Sequence, residues 1–169
     1  IIGSITPDFE YFLRMRIQSD YSHTISGLFW FDVPLGLLLA FIFHNIVRDG
    51  LFDNLPMILR SRLAQFKALK WNTYFRRNWL IVTVSIMIGA SSHLFWDSFT
   101  HQTGYFVHAI PALRSKIGLF GSQVEVFKFL QHSSTLAGAI IIAYAVYKIP
   151  AKKLIDGQID KTYWITLSI

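Results

Sequence analysis

The chain has 169 residues, of which 53% are hydrophobic and only 15% charged, and its mean hydropathy is +0.40. A soluble domain is about a quarter charged, so the deficit excludes an ordinary water-soluble fold and points to a chain solvated partly by lipid. The net charge of +6 is not a nucleic-acid signal, because the basic residues cluster beside apolar stretches, which is the membrane pattern.

With no cysteine, disulfides and thiolate sites are excluded, and a bound metal must use His, Asp, Glu or backbone oxygen. The chain opens IIGSITPDFEYF and closes KTYWITLSI, apolar at both ends and without a signal peptide, which reads as an internal piece of a longer protein. In TPDFEYF, Thr6 is placed to N-cap a helix with Pro7 at its first position. Asp8 and Glu10 then fall in the first turn, where the helix dipole alone accounts for acidic residues.

His23 stands just before the first stretch able to span, 26–47. Two further stretches, 78–98 and 126–147, also have the roughly 20 residues that a hydrocarbon core demands. A fourth apolar segment begins at 163–169. Asp32 lies about two turns inside the first span, just before Pro34. It is either a partner for a metal-bound histidine or a group that satisfies backbone freed by the proline. His44, near the other end of that span, reads as an interfacial or packed histidine. Trp30, Trp79, Trp96 and Trp164 fall near the expected interfaces, where an aromatic belt accounts for them.

The 48–77 segment carries Arg48, Arg60, Arg62, Lys67, Lys70, Arg76 and Arg77 against Asp49 and Asp53. Asn54 followed by Leu55 and Pro56 reads as a helix start. Leu59, Leu63, Phe66 and Leu69 recur at helical spacing with basic residues between them, so a basic helix over about 55–75 is expected in the membrane interface. Anchoring and orientation are its plain role, with docking of a protein partner as the alternative. Between the second and third spans stand Arg114 and Lys116, with Glu125 at the end, and after the third come Lys148, Lys152, Lys153 and Lys161. The positive-inside rule therefore puts 48–77 and the tail in the cytoplasm, and the 99–125 loop and the segment before residue 26 outside.

The second span ends HLFWDSFTH. Four residues advance a helix by about 400°, so His93 and Asp97 sit one above the other about 6 Å apart, a spacing at which two side chains grip one ion. A buried His–Asp hydrogen bond between helices is the structural alternative. His101 continues the same face but lies about 12 Å from His93 along the axis. It therefore folds back or serves a second metal or a substrate. His108 in the outer loop reads as solvent-facing or packed. His132 lies in the first turns of the third span. Ionisable groups at membrane helix ends are costly and usually functional, and Asp8, His23, His93, Asp97 and His132 all fall on the outer side.

Three strings, GSITPDFEYF, SHTISGLFWFDVPLG and HLFWDSFTHQTGYF, resemble a bacterial inner-membrane family catalogued as a domain of unknown function, number 4184. That family is more distantly similar to membrane-bound metal-dependent hydrolases with motifs of the type Pro-Asp-x-Asp-His, Thr-His-Ser and His-x-x-x-Asp. These hydrolases are similar in turn to the all-helical zinc-dependent phospholipase C and P1 nuclease group. The resemblance implies Asp8, His23, His93 and Asp97 as the matching ligand positions. It departs from the hydrolase motif at Glu10 and Tyr11, where that motif has Asp and His. It also lacks a leading segment with a further histidine.

The expectation is one all-α polytopic membrane domain over 1–169, a helix bundle with three full spans, the start of a fourth and a basic interfacial helix. It is expected in the bacterial inner membrane, with lipid as its solvent and no nucleic-acid partner. The leading function is a zinc-type divalent-metal hydrolase of a phosphoester or lipid headgroup at the outer boundary. Asp8, His23, His93, Asp97 and His101 hold the metal, and Glu10 or His132 serves as general base or further ligand. The alternative is a non-enzymatic subunit whose cluster is structural or holds a structural metal. An ion pathway ranks last, because the second and third spans offer little beyond Thr83, Ser85, Ser133 and Thr135.

Overall fold

A computed structural model describes residues 1–16, 21–119, 121–153 and 163–164. The architecture is all-α with one short hairpin. Helices α1 (Ile2–Ile5) and α2 (Phe9–Arg14) precede a continuous helical run, α3 (Ile25–Asp53), interrupted by π turns at Leu28–Asp32 and Phe43–Val47. Helix α4 (Met57–Leu63) leads through a 3₁₀ turn (Ala64–Ala68) to α5 (Trp71–Thr100). After α6 (Tyr105–Ala109) come the hairpin β1 (Lys116–Leu119) and β2 (Ser122–Glu125), and then α7 (Val126–Lys148).

Three stretches, Ile25–Asp53, Trp71–Ala109 and Val126–Lys148, are helical, long and apolar enough to cross a membrane. Their apolar side chains are largely uncovered: Leu136, Ile140, Ile141, Ile142 and Tyr144 on α7 are all more than half exposed. Water would penalise such a surface and lipid does not. This is the build of a multi-span membrane protein. Trp30, Trp79, Trp96 and Trp164 are likewise exposed. Of the fourth apolar segment, all but Tyr163 and Trp164 lies outside the described residues, as does Lys161.

The chain divides into two compact units, Ile1–Leu37 with Leu80–Ile140, and Leu38–Trp79 with Ile141–Ile169. In the first unit, α1 lies directly against α5. A Cβ on Gly3 would fall on the backbone of Ile86, and one on Gly89 would stand 2.9 Å from the Ser4 amide nitrogen. Gly36 of α3 completes the contact, with its missing Cβ 2.6 Å from Ile86 Cγ2 and 3.2 Å from Thr6 Cγ2. Small residues allow this approach, the usual device where lipid leaves no hydrophobic force between helices. On the far side of α5, Trp96 Nε1 donates to Ser134 Oγ of α7 at 3.1 Å.

In the second unit two arginines close helix ends by donating to carbonyls that the helices leave free. Arg48, buried, reaches Leu69 O at 2.8 Å and Lys67 O at 3.3 Å. Arg62 reaches Tyr147 O at 2.6 Å and also Ile149 O. His44 is the packed histidine of the two readings, stacked on Trp71 with ring centroids 4.2 Å apart.

Local details depart from the sequence pattern. Thr6 does not N-cap a helix from Pro7. It ends α1, and its hydroxyl donates back to Gly3 O at 2.7 Å, while Asp8 stands at the N-cap of α2. The chain turns helically from Ile2, so no free helix start is left at Thr6. The basic helix is shorter than 55–75, because α4 tightens into the 3₁₀ turn and Leu69 is extended. Asn54 belongs to the preceding helix, donating to Gly50 O at 3.0 Å, and Pro56 is the N-cap of α4. The hairpin is absent from the sequence reading. Its register pairs Leu119 with Ser122, and Gly121 at φ +83° supplies the left-handed turn residue that a two-residue loop needs.

Candidate metal centre

Three segments of the first unit deliver the site. Helix α5 supplies His93 and Asp97 one turn apart on one face. The α1–α2 junction supplies Asp8, held at that height by the Gly3–Ile86–Gly89 contact five residues earlier. The loop 21–24 supplies His23.

That loop is tied at both ends. Thr24 Oγ1 accepts the Gly27 amide at 2.9 Å and donates to Tyr21 O at 2.7 Å. A Cβ on Gly27 would collide with the Tyr21 carbonyl, so the loop lies directly on the first turn of α3. At the other end Glu10, only 2% exposed, accepts the Tyr21 and Ser22 amides on Oε2 at 3.1 and 2.8 Å. Its Oε1 pairs with Arg14 at 2.7 Å. Glu10 therefore holds the loop that carries His23 and does not join the ligand group. Glu10→Ala is expected to leave the buried Ser22 amide bare and to cost about 1–3 kcal/mol, read as a lower thermal midpoint in detergent. Glu10→Gln, which keeps one acceptor, should lose less. Equal midpoints for wild type and Glu10→Ala would remove this role.

Four ligand-type atoms, from Asp8, His23, His93 and Asp97, lie within 4.8 Å of one another. His93 Nε2 is 3.1 Å from Asp97 Oδ2 and 3.4 Å from Asp8 Oδ1, while His23 Nε2 is 3.4 and 3.8 Å from the same two oxygens. Zinc held at 2.0–2.2 Å in a tetrahedron implies ligand–ligand edges of about 3.4 Å, so the residues fit such an ion. A second observation agrees. His93 Nε2 and Asp97 Oδ2 are both buried and, despite their separation, neither has a hydrogen-bond partner among the described residues. The two atoms stand at ion-pair distance without the angle of a hydrogen bond. Orphaned buried polar atoms are costly, and a cation between them removes the cost. Ser22 Oγ lies 3.0 Å from His23 Nδ1. With the proton on Nδ1, the Nε2 lone pair faces the group, the orientation a metal-binding imidazole takes from its outer partner.

The remaining predicted residues lie outside this group. His101 stays on the helical path, its amide donating to Asp97 O at 2.9 Å, and its Nδ1 is 3.4 Å from Asp97 Oδ1. It therefore meets the other oxygen of the Asp97 carboxylate. His132 is exposed on α7 and His108 is exposed on α6; neither is among the four.

A cavity of about 500 Å³ opens beside the cluster, lined by His23 and Asp97 of the ligand group together with Tyr11, His101, Thr103 and Tyr105 among others. Gly104 shapes its floor, since a Cβ there would stand 2.5 Å from Ser98 O and 2.9 Å from Asp97 O.

The profile of the family described as a domain of unknown function (DUF4184) matches residues 1–169. The chain belongs to this family. Neither a curated protein nor a solved structure matches it. For this family member the metal-ligand geometry, rather than a relative's activity, has to carry the functional reading.

Proposed function

We propose that this membrane protein is a metal-dependent hydrolase. Asp8, His23, His93 and Asp97 hold a divalent ion, zinc by preference, and the substrate is a phosphoester or lipid headgroup at the membrane–water boundary. The observation that carries the reading is the set of four N and O atoms at zinc-like spacing, two of them buried and without a hydrogen bond among the described residues. The cavity against His23 and Asp97 supports a catalytic centre, since it gives a substrate access to two of the ligands. A bound zinc supplies a water activated near neutral pH and polarises the scissile group. Asp8, with its side chain 47% exposed, is the ligand best placed to yield a position. His101 and Tyr11 line the cavity and can hydrogen-bond to what enters it. The resemblance of the ligand positions to those of membrane-bound metal-dependent hydrolases favours the same reaction class. The basic excess of 48–77 favours a cytoplasmic place for that segment, with the site on the extracytoplasmic side.

A structural metal in a non-enzymatic subunit is favoured by one fact: four protein ligands complete a closed tetrahedral site. The two readings separate on the purified full-length protein. Elemental analysis should find about one transition metal per chain. Azide should then perturb the visible spectrum of the Co²⁺-loaded protein, and bis-p-nitrophenyl phosphate or phospholipid vesicles should be hydrolysed. Metal without azide access or hydrolysis would mark the structural site. Protein purified without chelators that holds no stoichiometric metal would sink both.

A further inference from the structure

Helix α2 is built inside out. Glu10 is buried and bonded to the 21–24 loop, Arg14 pairs with it, and Tyr11 lines the cavity beside the ligand group. The other face carries Phe12 and Leu13, 70% and 61% exposed, with Met15 uncovered just beyond them. Ile5 of α1 is exposed as well. A helix in water buries its apolar stripe and exposes its polar one. The reverse order suits an apolar surround.

The packing of α1 identifies that surround. Gly3 lies on the Ile86 backbone, Gly89 on Ser4, and Gly36 of α3 beside Thr6. Gly36 and Ile88 fall at the middle of the apolar stretches 26–47 and 78–98, so α1 meets both spans at mid-depth. A segment lying in water beyond the membrane has no access to that level. At about 1.5 Å per residue, His93 stands roughly 8 Å and Asp97 roughly 14 Å from Ile88 along α5. Half of a hydrocarbon core is about 15 Å. The ligand group therefore lies level with acyl chains, below the headgroup phosphates. Val84 and Ile88, which flank Ile86 on α5, are exposed apolar residues too, so the surface around the α1 contact is a lipid-facing one. Arg16, exposed at the end of α2, has the reach of a side chain that snorkels to phosphate.

We infer that α1 and α2 form a bilayer-embedded wall of the centre, with Ile5, Phe12 and Leu13 against acyl chains. The cavity between Tyr11 and the exposed Tyr105 then takes its ligand from the lipid. That ligand is an amphiphile whose ester-bearing head meets the ligand group while its chain stays in the bilayer beside Phe12. The seating stands on packing alone, whereas the amphiphile as substrate rests on the hydrolase reading above and narrows it to the lipid.

The chain has no cysteine, so a nitroxide label can be placed at one position at a time. Ile5→Cys, Phe12→Cys and Leu13→Cys of the full-length protein are labelled in nanodiscs of phosphatidylethanolamine and phosphatidylglycerol without added metal. Ile141→Cys on α7 is the lipid reference and Gln123→Cys in the hairpin the water reference, both exposed positions. The three labels should collide with oxygen as the label at 141 does and escape the water-soluble nickel chelate that reaches 123. Nickel collisions like those at 123 would overturn the seating. So would labels screened from both reagents, the mark of a second copy or another stretch of chain on this face. With Zn²⁺ loaded, the nanodisc phospholipids should be hydrolysed and their deacylated glycerophosphodiesters left intact. Cleavage of the deacylated esters at the rate of the parent lipids would overturn entry from the bilayer and leave the hydrolase reading standing. Labels seated in lipid with neither ester cleaved would overturn the hydrolase reading, and the amphiphilic substrate with it.

Discussion

Replacing His93 or Asp97 with alanine is expected to weaken metal binding by about two to three orders of magnitude. A structural zinc site of four ligands binds with about 10–16 kcal/mol, so one ligand is worth roughly 2.5–4 kcal/mol, and each 1.4 kcal/mol is tenfold. His93 and Asp97 should show the largest losses in the group. Their facing atoms are only 3.1 Å apart, both are buried, and the rigid turn of α5 fixes their spacing. Asp8 is half exposed and its Oδ1 is farther from both imidazoles, at 3.4 and 3.8 Å, so Asp8→Ala should cost less. His132→Ala and His108→Ala should bind as wild type does. Isothermal titration with Zn²⁺ or Co²⁺ reads all five variants against wild type. If His93→Ala and Asp97→Ala bound metal as well as His132→Ala, the centre would have been placed wrongly.

The second large effect comes from a residue that touches no ligand. Gly3→Ala puts a methyl group onto the Ile86 backbone. No rotamer change relieves a clash with main chain, so α1 must move away from α5. Overpacking of this kind costs about 1–3 kcal/mol and sometimes more. The displaced segment carries Asp8, so metal affinity should fall along with the thermal midpoint. Gly138→Ala is the matched control, because nothing lies within 4 Å of the missing Cβ on α7. There the better helix propensity of alanine should leave stability unchanged or raise it by up to about 1 kcal/mol. Gly3→Ala and Gly138→Ala with the same midpoint would remove the close helix contact as the device that sets the height of Asp8.

The parts of this molecule that follow local rules were readable from the sequence. The spans follow from length and hydropathy, and the His93–Asp97 pair from the period of the helix. The assembly with Asp8 and His23 could be reached only by supposing that their helix ends converge, and by resemblance. The contributions missed are those made across the chain. Glu10 sits where a helix dipole accounts for an acid, yet its partners are amides 11 and 12 residues away. Gly3 and Gly89 carry no pattern in isolation, and their meaning appears only when they face each other. The basic segment has helical spacing throughout 55–75, but the carbonyls of Lys67 and Leu69 turn to Arg48. That long-range bond stops the helix where periodicity alone would continue it. His101 kept its helical place, and the geometry gave it the second oxygen of Asp97.

The π turn at Leu28–Asp32 makes chain length itself part of the site. Such a turn holds one residue more than an α-helix would fit into the same rise. Each residue advances a helix by about 100°. Removing one amino acid between Gly27 and Val33 would let the turn relax into regular helix, with every ligand side chain still present and the helix on either side kept in phase. Adding one amino acid there would exceed what the turn absorbs and would swing the loop bearing His23 by roughly a quarter of a revolution relative to Gly36 and the contact it makes with Ile86. An insertion that removes no ligand would thus dismantle the centre as thoroughly as the loss of one. Within this stretch an insertion should therefore be tolerated less well than a deletion.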